Sequence, residues 1–249
     1  TRVYEYVAPI NGIPQGNYQP TIPLIAPTKI QVATFSGKYK PTEKTAVDFE
    51  IGISNNDKNL FSSVDDGDNK GLAGRINAKQ SLFSKKWSLD AFTNYQFIQR
   101  DFKSVERLYT IEFDRDWNIG TAGIGNQSLL VTGLELNLNS TTNTLNKGFL
   151  LYQFEKLDFS DNFSGNRHVL NGRFQLKNWS FLNQGSVLKS DGSTMLSQFI
   201  RNQSQIRFHF NENWLGSSLR LEDNQEKNKI TNQFSALSQK FTEYGLFTG

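Results

Sequence analysis

In the run Val47-Asp48-Phe49-Glu50-Ile51-Gly52-Ile53, every second residue is large and apolar, and the residues between them carry two carboxylates and a glycine. Successive side chains of a β-strand point to opposite faces, so this order puts the apolar groups on one side and both acids on the other. A helix would scatter the same residues around its circumference. The pattern recurs along the chain. Trp87, Leu89, Ala91, Tyr95 and Phe97 alternate with Ser88, Asp90, Asn94 and Gln96, with Phe92 as the intruder. Leu130, Leu134, Leu136 and Leu138 oppose Glu135, Asn137 and Asn139, and Leu150, Tyr152 and Phe154 oppose Gln153 and Glu155. Leu170, Phe174 and Leu176 oppose Asn171, Arg173, Gln175 and Lys177, and Ile206, Phe208 and Phe210 oppose Gln205, Arg207 and His209. The stretches approach the length of about ten residues that a tilted strand needs to cross a bilayer.

The links between these stretches alternate in length. Short polar ones at 41–44, 84–86, 141–144, 177–178 and 211–213 take turns with longer ones at 55–71, 99–106, 158–166, 189–196 and 222–229. Outer-membrane barrels have tight turns at one rim and long loops at the other. All four tryptophans follow a short polar link, as Lys86-Trp87, Asp116-Trp117, Asn178-Trp179 and Asn213-Trp214. An indole combines an apolar ring with a donor that prefers water, so Trp87, Trp117, Trp179 and Trp214 are the expected girdle at a membrane–water boundary. Ordinary packing at strand starts is the plainer explanation. A single girdle also requires 117–122 to be a short strand, and Trp214 is out of phase with Leu215, Leu219 and Leu221.

Composition agrees with a sheet that is apolar on one face only. Hydrophobic residues make up 37% of the chain, yet 13% are aromatic, and Phe occurs 20 times. A soluble domain of this length needs a thick aliphatic core, whereas a barrel in lipid needs apolar side chains only on its outward face. No run approaches the roughly 20 apolar residues of a spanning helix, which leaves closed strands as the route across a bilayer. With 27 basic against 24 acidic residues, there is no electrostatic footprint for nucleic acid. Cysteine is absent, which excludes disulfides and thiolate chemistry.

These features predict an all-β, antiparallel up-and-down meander of about twelve strands, a transmembrane β-barrel or a segment of a larger one. Residues 1–29, with Pro9, Pro14, Pro20, Pro23 and Pro27 beside Gly12 and Gly16, read as an extended leading segment. Residues 30–249 form the meander, which stops mid-pattern at Gly249 and is expected to continue beyond the chain end. An opening at Thr1 without a leader sequence also reads as an excerpt.

Several stretches carry a resemblance. They are Tyr6-Val7 with Gly16-Asn17-Tyr18-Gln19-Pro20, Ser54-Asn55-Asn56-Asp57-Lys58-Asn59-Leu60-Phe61-Ser62-Ser63, and Glu106-Arg107 with Glu112-Phe113-Asp114-Arg115-Asp116-Trp117. Ser238-Gln239-Lys240-Phe241-Thr242-Glu243-Tyr244 is another. In these the chain resembles large, mostly uncharacterised outer-membrane β-barrel proteins of Bacteroidota. The resemblance implies a surface-associated outer-membrane protein, supplies no active-site residues, and does not extend to membership of a secretion translocon.

Chemical motifs are thin. Asp65-Asp66-Gly67-Asp68-Asn69-Lys70-Gly71 partly imitates a calcium loop through Asp66, Asp68 and Gly71, but Lys70 takes a ligand position and the distal Glu is missing, so a solvated turn is the simpler reading. Asp158, Asp161 and Asn162 form a weaker version. His168 and His209 stand far apart, and His209 has only Ser193 as a conceivable nucleophilic partner. Arg173, Lys177, Arg207 and Arg220 fall on polar faces, where they would line a lumen, meet anionic headgroups or be solvated.

The leading expectation is therefore a non-catalytic barrel of the bacterial outer membrane, serving transport, surface anchoring or envelope assembly. Its expected partners are outer-membrane lipid, lipopolysaccharide and other envelope proteins, with no nucleic acid, cofactor, metal or catalytic residue assigned. A water-soluble β-sheet protein that binds glycan or lipid is the alternative, and a barrel-embedded lipid hydrolase is the third reading.

Overall fold

The structure, a computed structural model, describes residues 3, 5–17, 25–64, 66–119, 123–138 and 146–249. Eleven strands form one antiparallel sheet in which each strand pairs with its neighbours in sequence. They are β1 (Lys29–Thr42), β2 (Thr45–Asp57), β3 (Lys70–Ser84), β4 (Trp87–Ile98), β5 (Gln127–Leu138), β6 (Asn146–Phe159), β7 (Phe163–Leu176), β8 (Trp179–Gly192), β9 (Met195–Phe210), β10 (Asn213–Asn228) and β11 (Gln239–Thr248). β1 and β11 are the two edges of the sheet.

The register carries the alternation read from the sequence across the whole sheet. Trp87, Leu138, Gly148, Phe174, Phe181, Ile206, Ser217 and Leu246 are successive cross-strand partners from β4 to β11, all on one face. Phe35, Ile51, Gly74 and Phe97 continue that face through β1 to β4. We call it the apolar face. Its side chains stand out from the sheet: Phe35 is 68% exposed and Leu246 87%. Asn183, Asn202 and Ser204 interrupt it in the middle, and they satisfy one another: Asn202 and Ser204 donate to the Asn183 carbonyl at 3.0 and 2.9 Å.

The opposite, polar face carries the ion pairs. Arg75 meets Glu50 at 2.7 Å, Lys79 meets Asp90 at 2.9 Å, and Asn77 donates to Asp48 at 2.6 Å. Phe92, the intruder in the sequence pattern, is on this face, with its ring against Gly133. A side chain at 133 would crowd both that ring and the Tyr152 carbonyl, so glycine makes room for the aromatic group.

Eleven strands lie among the described residues, in keeping with the meander of about twelve read from the sequence. Three expectations are corrected. Trp117 ends a short helix, α1 (Phe113–Trp117), and begins no strand. Two of the five long links shrink: β6 and β7 are joined by 160–162 only, and β8 and β9 by 193–194. In these hairpins the outward positions turn polar, as at Asp158, Ser164, Lys189 and Asp191, while Leu157, Phe159, Phe163 and Leu188 lie on the opposite face, so the apolar phase inverts and the stretches resemble loop in the sequence. The β10–β11 connection is 229–238, displaced from the expected 222–229 because β10 runs on to Asn228. The expected short link at 141–144 lies outside the described residues.

Four two-residue links, 43–44, 85–86, 177–178 and 211–212, lie at one end of the strands, hereafter the turn end; the other, with the longer connections as well as the short 160–162 and 193–194, is the loop end. In two of the four the first turn residue has a left-handed backbone, Lys177 at φ 49° and Asn211 at φ 54°. Asn tolerates that conformation, while a β-carbon on an ordinary residue costs about 1 kcal/mol there. Lys177→Asn is therefore expected to stabilise the fold by about 0.5 kcal/mol. A higher urea midpoint with an unchanged m-value would show it.

Candidate functional site

The described chain buries its largest side chains on the polar face at the loop end. The 99–126 connection between β4 and β5 turns back over the sheet, and Trp117, 1% exposed, sits among Leu157, Phe163, Leu188 and Phe199. Phe113 and Trp117 stand four residues apart on one side of α1, and Tyr109, ahead of the helix, packs on Phe113. The Tyr109 and Phe113 rings stack at 4.0 Å, and Phe113 and Trp117 lie 6.4 Å apart. Asn118 ends the helix in a left-handed conformation at φ 55°. So short a helix has little stability of its own, so docking holds it.

Charge fixes its position. Asp116 receives Arg201 at 2.8 Å and lies 3.8 Å from Arg167. Arg167 also binds Glu155 at 2.6 Å and lies 4.9 Å from the centre of the Trp117 ring. Arg201 covers the Phe199 ring at 4.6 Å. Glu155 is buried, and its partner Arg167 supplies the opposite charge that burial requires. Around the same end, the Lys103 amide donates to Ser54 Oγ at 2.8 Å, and the Phe102 backbone presses on Gly71, where a side chain would not fit. The 229–238 connection also folds inward. Ser235 donates to buried Glu226, and Asn224 links both connections by accepting from Asn118 at 2.9 Å and donating to the Leu237 carbonyl at 3.4 Å. The loop half of the polar face is thus roofed. Beneath α1 is a cavity of about 440 Å³, lined by Arg115, Glu155, Arg167, Arg201, Arg220 and Glu222 among others.

The turn half has no such cover among the described residues. Lys147, Arg173 and Arg207 are exposed there, around a cleft of about 610 Å³. The two groups of arginines differ in how they are neutralised. In the roofed half Arg167 and Arg201 pair with carboxylates, as Arg220 does with Glu222 and Glu243 at 3.9 and 3.8 Å. In the open half Arg207 is held by the rings of Trp214 and Phe247, at 5.2 and 5.4 Å.

The four tryptophans do not make one row. Trp87 and Trp179 are on the apolar face at the turn end, where Trp87 packs on Phe174, and Trp179 on Phe181 and Phe208. Trp214 is at the same end but on the polar face beside Arg207, as its phase in the sequence indicated. Trp117 is at the opposite end inside the roof, because it ends α1. Asp65 lies outside the described residues. Asp66 accepts from Asn69 at 2.9 Å, Asp68 is 3.5 Å from Lys58, and Gly71 belongs to β3. Asp158, Asp161 and Asn162 accept from Ser164, Arg100 and the Ile124 amide, so the last two latch the β6–β7 link to the roof. Ser193 is at the loop end and His209 at the turn end, so they do not meet; the serine beside His209 is Ser180, at 3.2 Å. His168 is on the apolar face, 2.9 Å from the Tyr152 hydroxyl. Lys177 is in a turn, whereas Arg173, Arg207 and Arg220 lie on the polar face.

No protein-family model matches the chain, and no curated protein or solved structure matches it. The fold and the roofed polar face therefore define it only as a single-sheet antiparallel meander with inward-folded connections.

Two outcomes test the roof. Asp116→Asn removes the acceptor shared by Arg167 and Arg201 and should weaken docking of α1 by about 2 kcal/mol. With Trp87, Trp179 and Trp214 replaced by Phe, the remaining Trp117 emission should move toward that of indole in water. The second concerns pH. Burial pushes the Tyr109 phenol up to about 12, against a hydrogen bond from Gln127 that lowers it. An undocked phenol ionises near 10, so the contribution of Tyr109 to docking should be constant below that value and be lost as pH rises from about 10 to about 12. The same emission should report that loss, and Tyr109→Phe should abolish its pH dependence.

Proposed function

We propose that this sheet is embedded in the bacterial outer membrane as part of a non-catalytic β-barrel, with its apolar face toward lipid and its polar face toward a lumen. The observation that carries the reading is the largely apolar face that the register carries from β4 to β11, interrupted by the Asn183, Asn202 and Ser204 group and backed on the other face by ion pairs. In water this would be an apolar surface far larger than soluble monomers expose. In lipid it costs nothing, and every strand finds its backbone partners within the sheet except at the two edges.

The band has two borders. At the turn end it is aromatic, with Trp87, Phe174, Trp179, Phe181, Phe208 and Phe210. Toward the loop end it gives way to Lys156, Asp158, Lys189, Asp191, Asp223 and Lys240, where Lys229 also reaches Asp191. Between the borders β7 to β9 run close to the 9–11 residues of a tilted crossing. The turns then face the periplasm and the roofed loops the exterior, with the lysines placed to meet lipopolysaccharide phosphates. A lumen roofed at one end and open at the other suits surface anchoring, envelope assembly or gated transport better than free diffusion.

Site-directed labelling tests this directly, since the chain has no cysteine. Nitroxides at Ile51→Cys and Leu219→Cys, in protein reconstituted into bilayers, should collide with dissolved oxygen and be shielded from a water-soluble nickel chelate. Glu50→Cys and Arg220→Cys should show the reverse. Equal access of the chelate to both sets would favour a water-soluble sheet that binds glycan or lipid, and would sink the membrane reading.

A further inference from the structure

We propose that the open half of the polar face, between Lys147, Arg173 and Arg207, is a binding site for a polyvalent oxyanion of the kind carried by a phosphorylated solute. Register brings the three cations together. Lys147 on β6 is opposite Gln175, Arg173 on β7 is opposite Leu182, and Arg207 on β9 is opposite Ser180. Strands lie about 4.8 Å apart, so Arg173 and Arg207 stand on strands roughly 10 Å from each other, with β8 as the floor between them. Both line the cleft over that floor, so an anion with more than one phosphoryl group can meet more than one cation. The cleft of about 610 Å³ has room for such an anion, and Gln175, Ser180 and Gln205 add neutral donors to its wall.

The charge there is not cancelled. None of the three cations has a carboxylate within ion-pairing distance among the described residues, in contrast to Arg167, Arg201 and Arg220 on the same face. Glu135, on β5, accepts from the Asn137 amide at 3.1 Å, and Glu212 is in the β9–β10 turn. The neighbouring link 139–145 contains no acidic residue. Arg207 is nevertheless fixed in place: the Trp214 and Phe247 rings flank it, and it donates to Gln205 at 3.3 Å. Rings position a guanidinium without neutralising it, and the planar donor fork remains for an oxyanion. The site depends on register and charge on one face alone, so it stands whether the other face meets lipid or water.

The test is a calorimetric titration of inorganic pyrophosphate into the full chain in detergent micelles, at about 0.15 M salt so that diffuse attraction is screened. Saturable binding is expected. Arg173→Gln and Arg207→Gln should each weaken it by about tenfold, the loss of one charge-assisted contact. Arg75→Gln, on the same face but across the sheet, should leave it within about twofold. Arg173 is exposed, so its replacement should leave the circular dichroism of the sheet unchanged. Acetate should bind at least about tenfold more weakly than pyrophosphate. Absence of saturable binding, equal affinity for acetate, or an equal loss in Arg75→Gln and Arg173→Gln would overturn the assignment.

Discussion

The register of the backbone ladder is the constraint on which the molecule depends. Side chains alternate with period two, so a slip of one residue in any pairing would carry the apolar set of that strand to the polar face and its charges to the other. Phe174 opposite Phe181 and Glu155 opposite Arg167 are consequences of one alignment, repeated from hairpin to hairpin. Both the exposed apolar row and the arginine-bearing face follow from it. The bulge at Ser81–Phe83 shows how little departure is allowed, since Phe83 returns to the apolar face opposite Leu89 immediately after it.

On that frame, the polar face is divided by its covering. At the loop end α1 brings Asp116 and Trp117 to the sheet, where Asp116 pairs with Arg167 and Arg201, and the 229–238 connection folds in beside it. At the turn end the two-residue links are too short to reach back, and among the described residues Lys147, Arg173 and Arg207 have no carboxylate partner. The covering thus follows from where the long connections 99–126 and 229–238 leave the sheet. It distributes burial as well: the described residues' hydrophobic cluster sits under the roof, while the strands' remaining apolar surface is displayed outward.

The strands were legible in the sequence wherever one face is apolar, because alternation such as Val47 to Ile53 is a local signal. Where β6–β7 and β8–β9 run on, the outward positions turn polar and Leu157, Phe159, Phe163 and Leu188 take the other face, so the apolar phase inverts and the hairpins read as loops. Trp117 was misplaced for a different reason. Its position after a polar link suggests a strand start, but Phe113 and Trp117 share one side of a single helical turn, too short to stand out as a helix in the sequence. The partners of Asp116 could not be read in this way. Arg167 and Arg201 are 51 and 85 residues away in sequence, and only the fold brings them to it. The neighbourhood of His209 is similar, since its serine comes from across a strand pair at Ser180.

The strand count has a geometric consequence of its own. In an unbroken meander, odd-numbered strands share one direction, so β1 and β11 run the same way. Were these edges to meet, their seam would be parallel, with slanted hydrogen bonds unlike those of the rest of the sheet. A cylinder antiparallel throughout would need an odd number of strands beyond these eleven, entering between Lys29–Thr42 on one side and Gln239–Thr248 on the other.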